Sequence, residues 1–195
     1  DKTKNHYDDV GAHPERIDVN FGDNTIAAMV AKPDELKKLQ ALGYVGNTDR
    51  KPAAVSPDWL HLNGLSYNAD LDQVMVSVHQ FSEFWVIDHS TTTAEAATEH
   101  GGKSGKGGDL LYRWGNPRAY RAGTVKDEKL FSQTTSHWMP NGLPGAGHVL
   151  VFNNGMRRTG GAYSSVDEIV PPVDRTGHYA STAGKAYGPG APAWS

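Results

Sequence analysis

The feature that most constrains this sequence is a series of short alternating segments that occurs twice. In the first series we predict strands over 60–67, 73–78, 81–88 and 109–115. Val74, Val76 and Val78 share one face of the second segment, as alternation in a half-buried strand requires. Most of these segments are separated by connections of hairpin length, which favours a four-stranded antiparallel meander.

The series then recurs along the chain. The matched elements are His61 with His137, 73–78 with 148–153, 81–88 with 163–170, and Trp114 with Trp194. Repeated four-stranded units are typical of a β-propeller, in which each unit is one blade. The repeat exceeds the usual blade length of about 40–45 residues, and loops at 89–108 and 116–132 supply the excess. We therefore predict an all-β chain that forms a propeller segment of about two blades.

Two blades do not close a ring, because propellers have about 4–8 blades. They would also leave large sheet faces in contact with water. The chain is therefore expected to belong to a longer polypeptide, to pair with other chains, or to form a different sandwich. Truncation is the favoured explanation, because the sequence stops at Trp194-Ser195 within a predicted strand.

Residues 1–57 differ in pattern from residues 58–195. The first part is polar with little periodicity, which predicts an irregular arm followed by a linker. It contains one predicted helix at 33–42, where Pro33 suits the first helical position and three leucines recur at helical spacing. The second part carries the propeller blades, so we place a domain boundary between residues 57 and 58.

Composition excludes several classes of function. Lys and Arg number 19 against 22 Asp and Glu, which does not supply the concentrated positive charge that nucleic-acid binding requires. Cysteine is absent, so disulfides, thiolate chemistry and Cys-ligated zinc are excluded. No apolar run approaches the roughly 20 residues that span a bilayer. We predict no nucleic-acid partner, no membrane span, no metal and no cofactor.

Histidines and arginines give the candidate site. His61 and His137 begin the first strand of each unit, and in a propeller this position faces the central channel. His79 lies in a turn between strands, and Arg157 and Arg158 follow an Asn-Asn-Gly turn that is expected at the same rim. Imidazole and guanidinium together bind a tetrahedral oxyanion, and imidazole can act as nucleophile or proton carrier. The alternative interpretation of these residues is structural: the histidines cap strands, and the arginines lie on a solvated edge.

Longer stretches of the second part carry a family resemblance. They are DWLHLN, FSEFWVIDHSTTTAEAA, GGDLLYRWGNPRAYRAGT, HWMPNGLPGAGHVLVFNNG and YSSVDEIVPPVD, spread over residues 58–195. Together they resemble the bacterial arylsulfotransferase (aryl-sulfate sulfotransferase) family. The resemblance implies a six-bladed propeller, periplasmic or extracellular. It implies transfer of a sulfuryl group from an aromatic sulfate to a phenol through a sulfohistidine, without a nucleotide donor.

The resemblance also implies roles for individual residues. His61 matches the histidine of the family's D-W-x-H-x-N stretch, which would hold the sulfuryl oxygens or the leaving oxygen. Arg158, in preference to Arg157, matches an arginine after the N-N-G turn and would neutralise developing charge. His137 matches the second histidine of a Q-H-D-A-H-W-like stretch. The expected catalytic residues are His61, His137 and Arg158, and the expected substrate-binding residues are His79, Asn63 and Arg157.

Two departures from the family pattern favour a rival interpretation. Thr134 and Thr135 stand where the family has a histidine and an aspartate. The histidine that becomes sulfurylated in the family lies in a later blade, so we expect this chain alone to be inactive. The rival is a non-catalytic binding or assembly module on the same scaffold, since one fold supports many functions.

Overall fold

The computed structural model describes residues 10–18, 21, 34, 37 and 60–195. This part of the protein is mostly β-sheet with little helix, in two antiparallel sheets of four and three strands, which confirms the predicted β class. None of the described residues forms a helix long and apolar enough to cross a membrane. Of the helix predicted at 33–42, only Asp34 and Lys37 are described, both helical and exposed, and the remainder lies outside the described residues. The predicted boundary at 57 and 58 also lies outside them.

Sheet A is the four-stranded meander that the sequence predicts. It contains β1 (Leu62–Asn68), β2 (Gln73–Val78), β3 (Glu83–Asp88) and β4 (Tyr112–Trp114), each paired antiparallel with the next. A β-bulge between Leu62 and Gly64 shifts the pairing of β1 with β2. The Asn68 side chain closes the β1–β2 turn, because its Oδ1 accepts from the backbone N–H groups of Asp70 and Leu71, both at 3.1 Å.

Sheet B repeats this meander with three strands, β5 (Thr134–Trp138), β6 (Val149–Asn153) and β7 (Ser165–Ile169). The last two strands lie where the sequence repeat predicts them. Trp194 forms a single antiparallel bridge with Glu168 of β7, at the place of the predicted fourth strand. Glu168 donates its N–H to the Trp194 carbonyl (2.8 Å) and accepts from the Ala193 N–H (2.7 Å).

The main core lies between sheet A and the elements that cover one of its faces. On that face Met75, Ser77, Phe84 and Val86 are fully buried. The part of this face near β1 packs against β5, and the part near β4 packs against the segment 177–190. In that segment Tyr179 stacks on Tyr112, with ring centroids 4.7 Å apart, and donates its hydroxyl to Gln73 Oε1 at 2.9 Å.

Backbone hydrogen bonds show that the two sheets stack in the same sense. Glu168 of β7 and Val86 of β3 both form backbone hydrogen bonds on the side that faces away from the preceding strand of their sheet. The residues paired with them in the preceding strand are Leu150 and Met75. These two residues therefore direct their backbone N–H and C=O groups toward the first strand of their sheet, β5 and β1, and are equivalent positions. Met75 is buried, whereas in sheet B the buried side chains are those of the alternate positions, such as Val151. One face of sheet A thus packs on the opposite face of sheet B.

Arm residues 10–18 cover part of the other face of sheet A. Arg113 of β4 is fully buried, and its Nη1 donates to the backbone oxygens of Pro14 (3.3 Å) and Arg16 (2.9 Å). Its Nη2 pairs with Glu83 of β3 at 2.5 Å. Leu110 donates its N–H to the Glu15 carbonyl at 2.9 Å. Arm residues 10–18 and Phe21 therefore belong to the same compact unit as both sheets.

Candidate functional site

Two imidazoles meet at the edge where β1 begins and β2 ends. His61 precedes β1 and His79 follows β2, and the backbone N–H of His79 donates to the His61 carbonyl at 3.2 Å. Hairpin pairing therefore brings the two rings together, edge to face, with centroids 5.1 Å apart. His61 is exposed and His79 is half-buried. The sequence predicts His61 at the central channel and His79 in a turn between strands, and it gives no direct sign of this contact.

Asn63 links this pair to sheet B. Its Nδ2 donates to the backbone oxygen of Gln133 at 2.9 Å and lies 3.3 Å from His79 Nδ1. His79 Nδ1 also lies 3.2 Å from the same Gln133 oxygen. Unprotonated Nδ1 accepts from Asn63, and protonated Nδ1 donates to the Gln133 oxygen. His79 Nδ1 therefore has a hydrogen-bond partner whether or not it carries a proton.

Sheet B contributes a second set of polar groups at this edge. Asn154 Nδ2 donates to the Ser132 carbonyl at 2.6 Å and to Thr134 Oγ1 at 2.9 Å. Thr134 begins β5 and directly follows Gln133, so it lies next to the contacts of Asn63 and His79. Its hydroxyl accepts from Asn154 and retains one proton to donate. The position at which the resembled family has a histidine therefore falls within this site.

The two arginines differ in how they are held. Arg158 Nη2 donates to Ser165 Oγ at 2.7 Å, and its guanidinium lies 4.3 Å from the centroid of Tyr163 and 5.5 Å from that of Phe131. Phe131 is two residues before Gln133, which places Arg158 on the same edge. Within the described residues its buried Nε has no hydrogen-bond partner. Arg157 is exposed.

His137 does not correspond to His61, contrary to the predicted alignment. It is the fourth residue of β5, is exposed, and pairs with Leu150. Leu150 is the counterpart of Met75, whose partner in β1 is Ser66. His137 therefore corresponds to Ser66 in the middle of β1. The prediction is wrong because the strand begins earlier than 137, within a polar Thr-Thr-Ser run that hides its alternation.

Strained backbone clusters at this edge of the two sheets. Five non-glycine residues here have φ in the left-handed region, between 47° and 66°: His61, Ser82, Ser132, Thr135 and Arg157. Each such conformation costs about 1–3 kcal/mol, and strain of this kind concentrates at functional sites. The clustering supports the choice of this edge as the candidate site.

Other parts of the described chain are weaker candidates for a functional site. In the Gly-Gly-Lys-Ser loop the backbone N–H of Ser104 donates to Asp88 Oδ2 (2.8 Å) and that of Lys103 to Ser90 Oγ (2.7 Å), so a phosphate would have to displace these groups. No three His, Asp or Glu side chains of the described residues are placed to hold a metal ion.

Comparison of the chain with protein-family models, with curated proteins and with solved structures finds no match. Among the predicted site residues, the structure brings together His61, His79 and Asn63 and places Arg158 on the same edge. It leaves His137 apart, and it adds Gln133, Thr134 and Asn154. The Asn-Asn-Gly turn is the one sequence signal that pointed toward Asn154.

Proposed function

We propose that this chain forms part of an exported, arylsulfotransferase-like β-propeller. Its activity would be transfer of a sulfuryl group from a phenolic sulfate ester to a phenol through a histidine. The observation that carries the proposal is the meeting of His61, His79 and Asn63 of sheet A with Thr134 and Asn154 of sheet B. Of these residues, His61, Asn63 and Asn154 lie in the stretches of sequence that resemble the arylsulfotransferases.

The sense of stacking supports the propeller. Blades that follow one another around an axis pack one face on the opposite face of the next, whereas a two-fold sandwich brings equivalent faces together. The open face of sheet B presents Phe152, 46% exposed, and Val166, 41% exposed. It corresponds to the face of sheet A that sheet B covers. A further sheet, from a longer polypeptide or from another chain, would cover it in the same way.

The site offers acid–base and charge-stabilising groups for sulfuryl transfer, and the histidine that carries the sulfuryl group is expected in a later blade. An imidazole nitrogen attacks sulfur while the bond from sulfur to the aryl oxygen breaks, and the released aryl oxide takes up a proton. The acceptor phenol then attacks sulfur, the sulfur–nitrogen bond breaks, and the phenol proton passes to a base. The imidazoles of His61 and His79 can carry these protons, and Arg158 can neutralise oxygen charge. Most of the catalysis is positioning and charge stabilisation.

The second candidate is a non-catalytic module that binds phenolic sulfates or phenols. Thr134 favours it, because a hydroxyl held by Asn154 can donate to a sulfate oxygen but does not exchange protons near neutral pH as histidine does. Such a module would use the same edge of the two sheets and the same ligands.

Incubation of the natural polypeptide with p-nitrophenyl sulfate and phenol separates the candidates. The enzyme releases nitrophenol and forms phenyl sulfate, and His61→Ala lowers this rate by about 10²–10⁴-fold, the usual contribution of one positioned acid or base. His178→Ala, an exposed histidine outside the site, is the matched control. Binding without release, abolished by His61→Ala, favours the module. Absence of both binding and release contradicts both candidates.

A further inference from the structure

Three atoms that can bind a metal surround one point at the end of sheet B opposite the candidate site. This point is the position that a Cβ on Gly145 would take. Around it lie Glu168 Oε1 at 3.0 Å, His148 Nδ1 at 3.1 Å and Met139 Sδ at 3.1 Å. No two of these atoms are therefore separated by more than about twice that distance. A carboxylate oxygen, an imidazole nitrogen and a thioether sulfur are all metal ligands in proteins.

The pairing of sheet B brings these three side chains together. Met139 directly follows β5 and His148 directly precedes β6, and the Met139 N–H donates to the His148 carbonyl at 2.8 Å. Glu168 of β7 pairs with Leu150, two residues after His148, so the side chains of Glu168 and His148 share one face of the sheet. His148 Nδ1 lies 2.5 Å from Glu168 Oε1. Each strand of sheet B, or the residue next to it, thus supplies one of the three atoms.

The turn between β5 and β6 leaves the space beside these atoms open. Gly145 has φ of 76°, in the left-handed region that favours glycine. The His148 N–H donates to the Gly145 carbonyl at 2.9 Å, and the Gly147 N–H donates to the Met139 carbonyl at 3.1 Å. These bonds hold Gly145 against the three atoms. Because glycine has no Cβ, residue 145 places no side chain among them.

The three side chains are accessible enough to bind an ion from solution. The side chain of His148 is 32% exposed, that of Glu168 is 25% exposed, and Met139 is half-buried. Metal–ligand bonds of about 2.0–2.3 Å require ligand atoms about 3–4 Å apart, which rotations of half-buried side chains can reach. The ion takes the place of the proton between His148 and Glu168, and this proton leaves to solvent.

We propose that Met139, His148 and Glu168 bind one cuprous ion. Thioether sulfur selects Cu⁺, and imidazole also binds copper. The Glu168 carboxylate balances the charge of the ion. Zinc sites are built from Cys, His and carboxylate ligands, and no three His, Asp or Glu side chains gather in the part of the chain that the structure describes. The absence of cysteine excludes Cys-ligated zinc but not a site in which methionine is the third ligand.

Competition for Cu⁺ with the chelator bicinchoninate, under anaerobic reducing conditions, tests the proposal. The wild-type protein should remove Cu⁺ from the coloured complex. Met139→Leu keeps the size of the side chain but removes the sulfur. It should lower the affinity at least about tenfold, since even groups behind a metal ligand contribute about 10–100-fold. His148→Ala should lower the affinity at least as much. Unchanged affinity in Met139→Leu overturns the proposal.

Two variants outside the site are the matched controls. Met156→Leu changes another half-buried methionine, and His178→Ala changes an exposed histidine. Both should bind Cu⁺ as the wild type does. Equal losses in Met156→Leu and Met139→Leu would mean that copper binds methionines without selection, which also overturns the proposal.

NMR of the methionine methyl groups tests the wild-type protein directly, so it does not depend on the folding of a variant. Cu⁺ should shift the methyl signal of Met139 and the ring signals of His148, and leave the methyl signals of Met75 and Met156 unchanged. An unchanged Met139 signal contradicts the site. Tighter binding of Zn²⁺ than of Cu⁺, retained in Met139→Leu and lost in Glu168→Gln, would identify a carboxylate–imidazole site and overturn the choice of metal. None of these readouts depends on sulfuryl transfer.

Discussion

Sheets A and B share one strand pattern but differ in how they are covered. Sheet A has sheet B and the segment 177–190 on one face and arm residues 10–18 on the other, and five of the six residues of β3 are buried. Among the residues that the structure describes, sheet B is packed on one face only, and Phe152 and Val166 lie on its open face. Both sheets carry apolar residues on both faces, so a sheet of this pattern requires a partner on each side. The two sheets differ in the elements that pack on their faces and not in the pattern of their strands.

Removal of one phenylalanine from each sheet measures this difference most strongly. Phe84 is fully buried on the covered face of sheet A, so Phe84→Ala should cost about 3–5 kcal/mol of unfolding free energy. Phe152 lies on the open face of sheet B. Phe152→Ala should therefore lower the free energy of unfolding by less than about 1.5 kcal/mol, since only about half of the side chain's transfer free energy is lost. Urea unfolding of both variants checks this. Equal losses would show that the two faces are covered alike.

The buried ion pair tests how the arm side of sheet A is held. Burial raises the pKa of Glu83, while the Arg113 charge and hydrogen bonds from Arg113 and Trp85 oppose the rise. Arg113→Met leaves this carboxylate buried without its partner and removes the donors to Pro14 and Arg16. The expected loss is about 3–5 kcal/mol in urea unfolding.

The double variant Glu83→Leu/Arg113→Met serves as the control for that loss. It leaves no buried charge, so it should recover a large part of the stability. A double variant as unstable as Arg113→Met alone would mean that the contacts with the arm, and not the unpaired charge, determine the loss.

The seam between the sheets is tested at Gly64. A methyl group there would lie 3.0 Å from Thr135 Cα and 3.2 Å from Ser77 Cβ. Gly64→Ala should therefore cost about 1–3 kcal/mol through overpacking. Gly190→Ala is the matched control, because no atom lies within 4 Å of the added methyl group. Equal melting temperatures for the two variants would show that β1 and β5 are not closely packed.

The smallest expected effect concerns the turn of sheet A opposite the candidate site. Hydrogen bonds from His89, then Lys103 and Tyr67, lower the pKa of Asp72 to about 2 from the usual 3.8. A lowered pKa stabilises the fold above the unfolded value, and this contribution is lost as the pH falls from about 4 to about 2. Asp72→Asn should therefore show a shallower fall in Tm over this interval than the wild type. Asp70→Asn, in the same turn, is the control, and parallel curves for Asp72→Asn and wild type would contradict the assignment.

Local pattern predicts the strands better than it predicts the site. β2 begins and ends where the sequence places it, because alternating valines mark it fully. The start of β5 is missed because Ser136, a buried residue of that strand, is polar. The contacts among Asn63, Gln133 and Asn154 join residues distant in sequence, which periodicity cannot reveal. The short helix Thr93–Ala96 has a visible signal, since its capping box joins Thr92 and Glu95.

The most direct test of the account is an NMR titration with p-nitrophenyl sulfate. The central claim is that residues of both sheets form one site for a phenolic sulfate. Ring signals of His61 and His79 and the side-chain amide signals of Asn63 and Asn154 should shift together along one binding curve. Signals that do not move, or that move in one sheet alone, would contradict the claim.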